Sequence, residues 1–162
     1  MVGDMDEAAM ADGAALLGSI DTILLGRVSY DGFSQYWPPA TGEWADLMNR
    51  PPKVVFSRSG EAGPLPWGEF GNARLVAGPL AAEAVKELKA GEGGDMVLLA
   101  SAGLTQSFSD LGLIDEYQIH VLPVLLGAGK LLFAGGHRRQ LGFVSAKSYP
   151  KGWVRLTYRR VD

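Results

Sequence analysis

The chain is predicted to fold as an α/β three-layer sandwich, with a mixed, mostly parallel central sheet that ends in a C-terminal antiparallel hairpin. Three observations predict it. Short apolar runs recur as buried strands. Segments with helical spacing lie between them, and strands that alternate with helices pair in parallel, because each crossover helix returns the chain to the same edge. The tail departs from that rhythm: Leu141 to Ser148 and Trp153 to Val161 read as a hairpin joined by Tyr149-Pro150-Lys151-Gly152.

In order, Met10, Ala14 and Leu17 repeat at helical spacing before a buried strand at Thr22 to Leu25. Val28 to Tyr36 is a helix opening after Gly26, and Glu43 to Asn49 a short one stopped by Pro51 and Pro52. Lys53 to Ser57 is the second buried strand, Glu61 to Phe70 an irregular stretch, and Ala73 to Val76 the third strand. Pro79 opens a helix with Leu80, Ala84 and Leu88 on one face, closed by Gly91, Gly93 and Gly94. Met96 to Ala100 is the fourth strand. Ser101 is placed to cap the next helix, whose apolar face is Leu104, Phe108 and Leu111. The strand from Glu116 alternates, with Tyr117, Ile119 and Val121 opposite Gln118 and His120, then breaks at Pro123 and enters a loop bounded by Gly127 and Gly129.

At 162 residues the chain reads as one domain, 1–162, able to bury a core without staples. It has no cysteine, which excludes disulfides and thiolate chemistry, and its two histidines are too far apart to suggest a metal motif. A net charge of −3 argues against a nucleic-acid partner, and no apolar run approaches a membrane span. The acidic start, Asp4, Asp6 and Glu7, lacks the basic head of a secretory signal and suits a helix N-terminus, so the cytoplasm is the expected compartment.

In such sheets ligands bind beyond the carboxyl ends of the strands. Four junctions lie there: Gly26-Arg27-Val28-Ser29, Ser57-Arg58-Ser59-Gly60, Ala100-Ser101-Ala102-Gly103 and Gly127-Ala128-Gly129. Three of them join small residues to a helix start or an arginine, which offers a phosphate free N–H groups, a dipole and a fork of donors. Three in one sheet suggest a dinucleotide laid across its edge.

Leu25-Gly26-Arg27-Val28-Ser29-Tyr30, Tyr36-Trp37-Pro38 and Lys53 to Arg58, followed by Gly112 to Glu116, Pro123, Leu126 to Gly129 and Leu132-Phe133, resemble the dihydrofolate reductase-like family. More narrowly, they resemble the reductase domain at the C-terminal end of bifunctional riboflavin-biosynthesis deaminase-reductases. The resemblance covers nearly the whole chain. It implies an NADPH-dependent reductase acting on a pteridine-like or ribosylaminopyrimidine small molecule, with hydride passing from the nicotinamide to an imine or carbonyl carbon. It places Gly26, Arg27, Val28 and Ser29 on the cofactor phosphates, and Ser57, Arg58 and Ser59 at the 2′-phosphate end. Ser101, Ala102, Gly103 and Leu104 fall at the pyrophosphate, and the nicotinamide near Ala100. Tyr30, Tyr36 and Trp37 are the substrate-side candidates; no residue is assigned as proton donor.

Two departures stand out. The family usually has glycine where this chain has Ala100, and usually begins with a mid-sheet strand before the first helix. Only 25 residues precede Gly26, so either the start of this chain is set too far downstream or the domain lacks that strand, a gap that would leave backbone groups unpaired and an apolar slot exposed. Both departures favour an alternative, a non-catalytic ligand-binding or assembly domain that keeps the fold. The tail hairpin, with Trp153 expected to be exposed, offers a surface for a homodimer that the sequence leaves undecided. Asp115 and Glu116 read as connection residues rather than acid and base, and His120 as structural.

Overall fold

The computed structural model describes residues 6–78, 81–133, 135 and 138–161. The elements run α1 (Glu7–Ser19), β1 (Ile20–Gly26), α2 (Arg27–Tyr36), α3 (Glu43–Asn49), β2 (Lys53–Ser57), β3 (Gly63–Leu65) and β4 (Ala73–Ala77). They continue with α4 (Ala81–Ala90), β5 (Asp95–Leu98), α5 (Ala102–Asp110), β6 (Glu116–Val121), β7 (Leu141–Ser148) and β8 (Val154–Arg160). Pro79 and Leu80, expected to open the α4 helix, and His137 lie outside the described residues.

The first sheet has the order β3-β4-β2-β1-β5, in which β4, β2, β1 and β5 are parallel and β3 is antiparallel to β4. Its central strands read as continuous apolar runs because helices cover both faces. Ile23, Leu25 and Val55 pack with Leu17 of α1, Tyr30 of α2 and Met48 of α3. Leu24, Val54 and Phe56, one residue out of phase, pack with Val85 of α4 and Phe108 of α5. Leu25 and Val55 are fully buried, and each such side chain stabilises the fold by about 1.5–3 kcal/mol. The three-layer α/β arrangement read from the sequence is therefore present.

The tail hairpin does not extend that sheet. β7 and β8 pair with β6 in a separate antiparallel sheet, β6-β8-β7. The two sheets are tied by α1: Asp12 bonds Lys147 (2.6 Å) and the Tyr149 hydroxyl (2.7 Å) on the hairpin, with Arg155 at 3.4 Å. Asp6 caps α1 through Ala9 N (2.9 Å) and also accepts from Lys151 N (3.1 Å). Trp153, expected on the surface, is 7% exposed, packed against Ala9 and Tyr149. Its large ring is the residue that seats α1 on the hairpin, so it offers nothing to a second copy.

Two further expectations are corrected. The stretch from Glu61 to Phe70 is not wholly irregular: it contains β3 and the fully buried Trp67, whose indole N–H donates to Asn49 Oδ1 at 2.9 Å. Leu111, read as part of an apolar helix face, is exposed beyond the end of α5.

Candidate functional site

The carboxyl ends of β4, β2, β1 and β5 form one lip, about 14 Å across at the usual strand spacing. Gly26 ends β1, Ser57 ends β2, and Ala100 and Ser101 follow β5, so three of the four predicted junctions sit on adjacent strands. The fourth, Gly127 to Gly129, belongs to the exposed loop after β6, in the other sheet.

Two helices start at the centre of this lip and interlock. Ser101 is the N-cap position of α5, yet its hydroxyl does not cap that helix. It accepts from the Gly26 N–H, at the start of α2, at 2.8 Å, and lies 2.8 Å from Ser29 Oγ. Gly26 is required here by close approach rather than by backbone angle. Its φ of −78° suits any residue, but an added Cβ would stand 3.1 Å from Ser101 Oγ and 3.2 Å from Ser101 Cβ, with Leu104 Cβ at 3.8 Å. The loan of Ser101 to α2 leaves α5 without a side-chain cap. Among the described residues the N–H groups of Ala102 and Gly103 meet no acceptor. A Cβ on Gly103 would meet nothing within 4 Å, so the start of α5 is open to a ligand. Two helix dipoles thus present their positive ends side by side.

Ala100 and Ser101 hold φ values of 52° and 58°. These are left-handed conformations that cost a non-glycine residue about 1–2 kcal/mol each, the kind of strain that clusters at binding sites. The usual family glycine would meet no such cost at position 100.

The cations flank the lip. Arg27, on the first turn of α2, pairs with Asp31 at 2.8 Å and lies 5.6 Å from the Tyr30 ring centre; both partners are about half exposed, so the pair is weak and exchangeable. Val28, beside it, is strongly exposed. Arg58 is exposed and makes no hydrogen bond or ion pair among the described residues. Its loop folds back through Ser59 N to Ser57 Oγ at 3.3 Å. The lip therefore gathers free amides, two helix starts and two exposed arginines, a donor set suited to anionic groups.

The substrate-side candidates are not gathered there. Tyr30 is a core residue, 3% exposed, tilted against Trp67, with its hydroxyl donating to the Pro66 carbonyl at 2.5 Å. Its ring is spent on core packing against Trp67 rather than presented at the surface of the lip. Tyr36 is exposed and Trp37 half-buried, with 4.9 Å between ring centroids, but they close α2 about 15 Å along the helix from Gly26. Asp115 pairs with Lys89, and Glu116 with Arg159 (3.1 Å); neither faces the lip as an acid–base pair. The Gln118 hydrogen bond, ahead of Arg159, holds the Glu116 carboxyl below the ordinary range.

Sequence reasoning missed a buried polar node at the amino end of β2. Lys53, 1% exposed, donates to the Asn49 carbonyl at 2.6 Å, sits 4.5 Å from the Trp67 ring centre, and among the described residues has no carboxylate partner. Burial pushes its amine down to about 7. A lysine opening an apolar strand reads as a solvated charge, and only the three-dimensional cover from Trp67 and Asn72 reveals otherwise.

The profile of the RibD C-terminal domain family matches residues 69–155. YyaP, an uncharacterized protein of Bacillus subtilis (strain 168), is 36% identical over 148 residues, covering 88% of this chain and 75% of that protein. Among solved structures, a riboflavin-biosynthesis candidate from Shewanella sp. PV-4 superposes with a TM-score of 0.74 at 22% identity, covering 98% of this chain and 81% of its own. A pyrimidine reductase-like protein from Corynebacterium diphtheriae gives 0.70 at 13% identity, with 99% and 84% coverage. A Thermotoga maritima deaminase/5-amino-6-(5-phosphoribosylamino)uracil reductase gives 0.68 at 13% identity, with 96% of this chain and 50% of that one.

Proposed function

Because the chain belongs to the RibD C-terminal domain family, we propose that it is an NADPH-dependent reductase of a pteridine-like or ribosylaminopyrimidine small molecule. The observation that carries this reading is the joint at Gly26 and Ser101, where two helix starts meet at 2.8 Å on one lip. The Ala102 and Gly103 amides, with the first turn of α2 at Arg27 and Val28, hold the diphosphate; Gly103 leaves the space for it. Arg58, with Ser57 and Ser59, takes the 2′-phosphate. The bound cofactor supplies the hydride, which an imine or carbonyl carbon of the substrate accepts. The protein's part is orientation: β1, β2 and β5 fix the anchor points, and the half-exposed Arg27 moves from Asp31 toward phosphate at little cost.

Titration with NADPH and NADH, followed by nicotinamide fluorescence, tests this. Saturable binding that prefers NADPH, with oxidation when a pyrimidine or pteridine substrate is added, supports it; absence of binding refutes it. The strained Ala100 methyl favours a second reading, a domain that binds a nucleotide without turnover. Binding of NADPH that no such substrate oxidises selects that reading.

A further inference from the structure

The buried Lys53 cation stands at the amino end of β2, about 13 Å along the strand from the lip, and takes no part in binding there. An apolar side chain would fill the same volume without the cost of desolvating a charge. What the ammonium adds is direction. Its donors meet the Asn49 carbonyl at 2.6 Å, Asn72 Oδ1 at 3.5 Å and the face of the Trp67 ring, 4.5 Å from the centroid. Asn49 takes the edge of the same ring, accepting from the indole N–H at 2.9 Å. Its own side-chain amide donates to the Trp37 carbonyl at the end of α2, also at 2.9 Å. Trp67 is therefore fixed by face and by edge, with none of its surface exposed.

The fixed indole passes that order on. Tyr30 lies against it at 6.1 Å between centroids, tilted by 40°, and its hydroxyl donates to the carbonyl of Pro66, the residue before Trp67. One segment thus holds Tyr30 at both ring and hydroxyl. One helix turn earlier, Arg27 sets its guanidinium 5.6 Å from the Tyr30 ring centre. The series Lys53, Trp67, Tyr30 and Arg27 follows the packed face that carries Leu25 and Val55, from the amino end of β2 to the lip. Each end is a cation on a ring, and of the two cations Arg27 is the exposed one.

We propose that Tyr30 and Trp67 are positioning residues, a two-ring arm anchored by Lys53 and Asn49 that holds Arg27 at the lip. This rests on the reading of Arg27 as a phosphate ligand. An unsupported arginine on the first turn of a helix sweeps a wide arc and loses that freedom when it binds an anion. An arginine already resting on a ring has less to lose, and exchanges only its exposed Asp31 partner for phosphate. Losing the preorganisation of one such side chain weakens binding about 2- to 12-fold.

Calorimetric titration with inorganic pyrophosphate and with NADPH tests the arm, at about pH 6, below the value of about 7 at which the Lys53 amine titrates. Tyr30→Leu should raise both dissociation constants about 2- to 12-fold. Tyr30→Phe, which keeps the ring, should change them less than about 2-fold, and Tyr30→Leu should add nothing to Arg27→Ala. Equal weakening by Tyr30→Leu in both backgrounds, or unaltered affinity beside a lowered Tm, marks core packing alone and overturns the proposal. The ligand-free protein gives an independent reading by NMR. The Tyr30 ring should shift the Arg27 δ protons upfield in the wild type, and less so in Lys53→Met, which keeps the length of the side chain. A shift indifferent to Lys53 overturns the proposal, and this reading serves if Tyr30→Leu fails to fold. Wild-type protein that binds neither anion refutes the phosphate reading of the lip instead, and the Arg27 shift then decides the arm by itself.

Discussion

Replacing Gly26 with alanine adds a methyl 3.2 Å from Ser101 Cβ, in the joint from which α2 and α5 both start. The backbone is no obstacle, since φ −78° and ψ 155° suit alanine. The neighbour is the obstacle: Ala100 and Ser101 already hold left-handed angles, and a turn so fixed has little room to retreat. Overpacking of this kind costs about 1–3 kcal/mol. Displacing Ser101 also weakens its 2.8 Å bond to the Gly26 N–H, worth about 1 kcal/mol. A combined loss of about 2–3 kcal/mol lowers Tm by roughly 4–12 °C in a domain of this size. The assay is a double-mutant cycle of thermal or urea melts on Gly26→Ala, Ser101→Gly and the pair. With the Ser101 side chain gone, Gly26→Ala should cost less than about 0.5 kcal/mol. An equal penalty in both backgrounds would refute the close-approach account of Gly26.

Other perturbations follow from the same geometry. Ala100→Gly relieves a left-handed alanine, at some entropic cost in the unfolded chain, and should raise stability by about 0.5–1 kcal/mol in urea melts. Arg58→Ala should lower the NADPH/NADH affinity ratio by about 10- to 150-fold, the loss of one charge-assisted contact, and leave turnover at saturating cofactor nearly unchanged; an unaltered ratio removes Arg58 from the site. Lys53 titrates near 7 when folded and at its ordinary 10.5 when unfolded. Between those values the unfolded chain holds the proton that the folded chain has released, so Tm should climb as pH rises from 7 to 10, and Lys53→Met should flatten that slope. The Lys147 hydrogen bond, then that of Tyr149, holds Asp12 below the ordinary carboxylate range. Its stabilisation is complete above that range and lost as pH falls through the depressed folded value. Asp12→Asn should therefore weaken the protein at neutral pH and reduce its further loss on acidification.

The parallel core was legible because its strands are short apolar runs with turn residues at both ends. Lys53 to Ser57 and Glu43 to Asn49 keep the predicted bounds. The junctions at Gly26 and Ser101 were legible as helix starts, but their interlock was not: no local pattern says that Ser101 serves α2 instead of α5. Tyr30 misled for a related reason. An aromatic beside a ligand-type loop looks available until Trp67, which is 37 residues later and outside any periodic segment, is seen covering it. β3 was hidden because a three-residue strand of glycine, proline and leucine carries no alternation. Trp153 was misplaced because its cover, α1, comes from the opposite end of the chain.

Backbone amide NMR on NADPH addition tests the central claim most directly. Shifts confined to Gly26–Ser29, Ser57–Ser59 and Ser101–Leu104, largest at Ala102 and Gly103, are the expected result. Shifts centred elsewhere, or none at saturating NADPH, would contradict a lip built to hold the cofactor's phosphates.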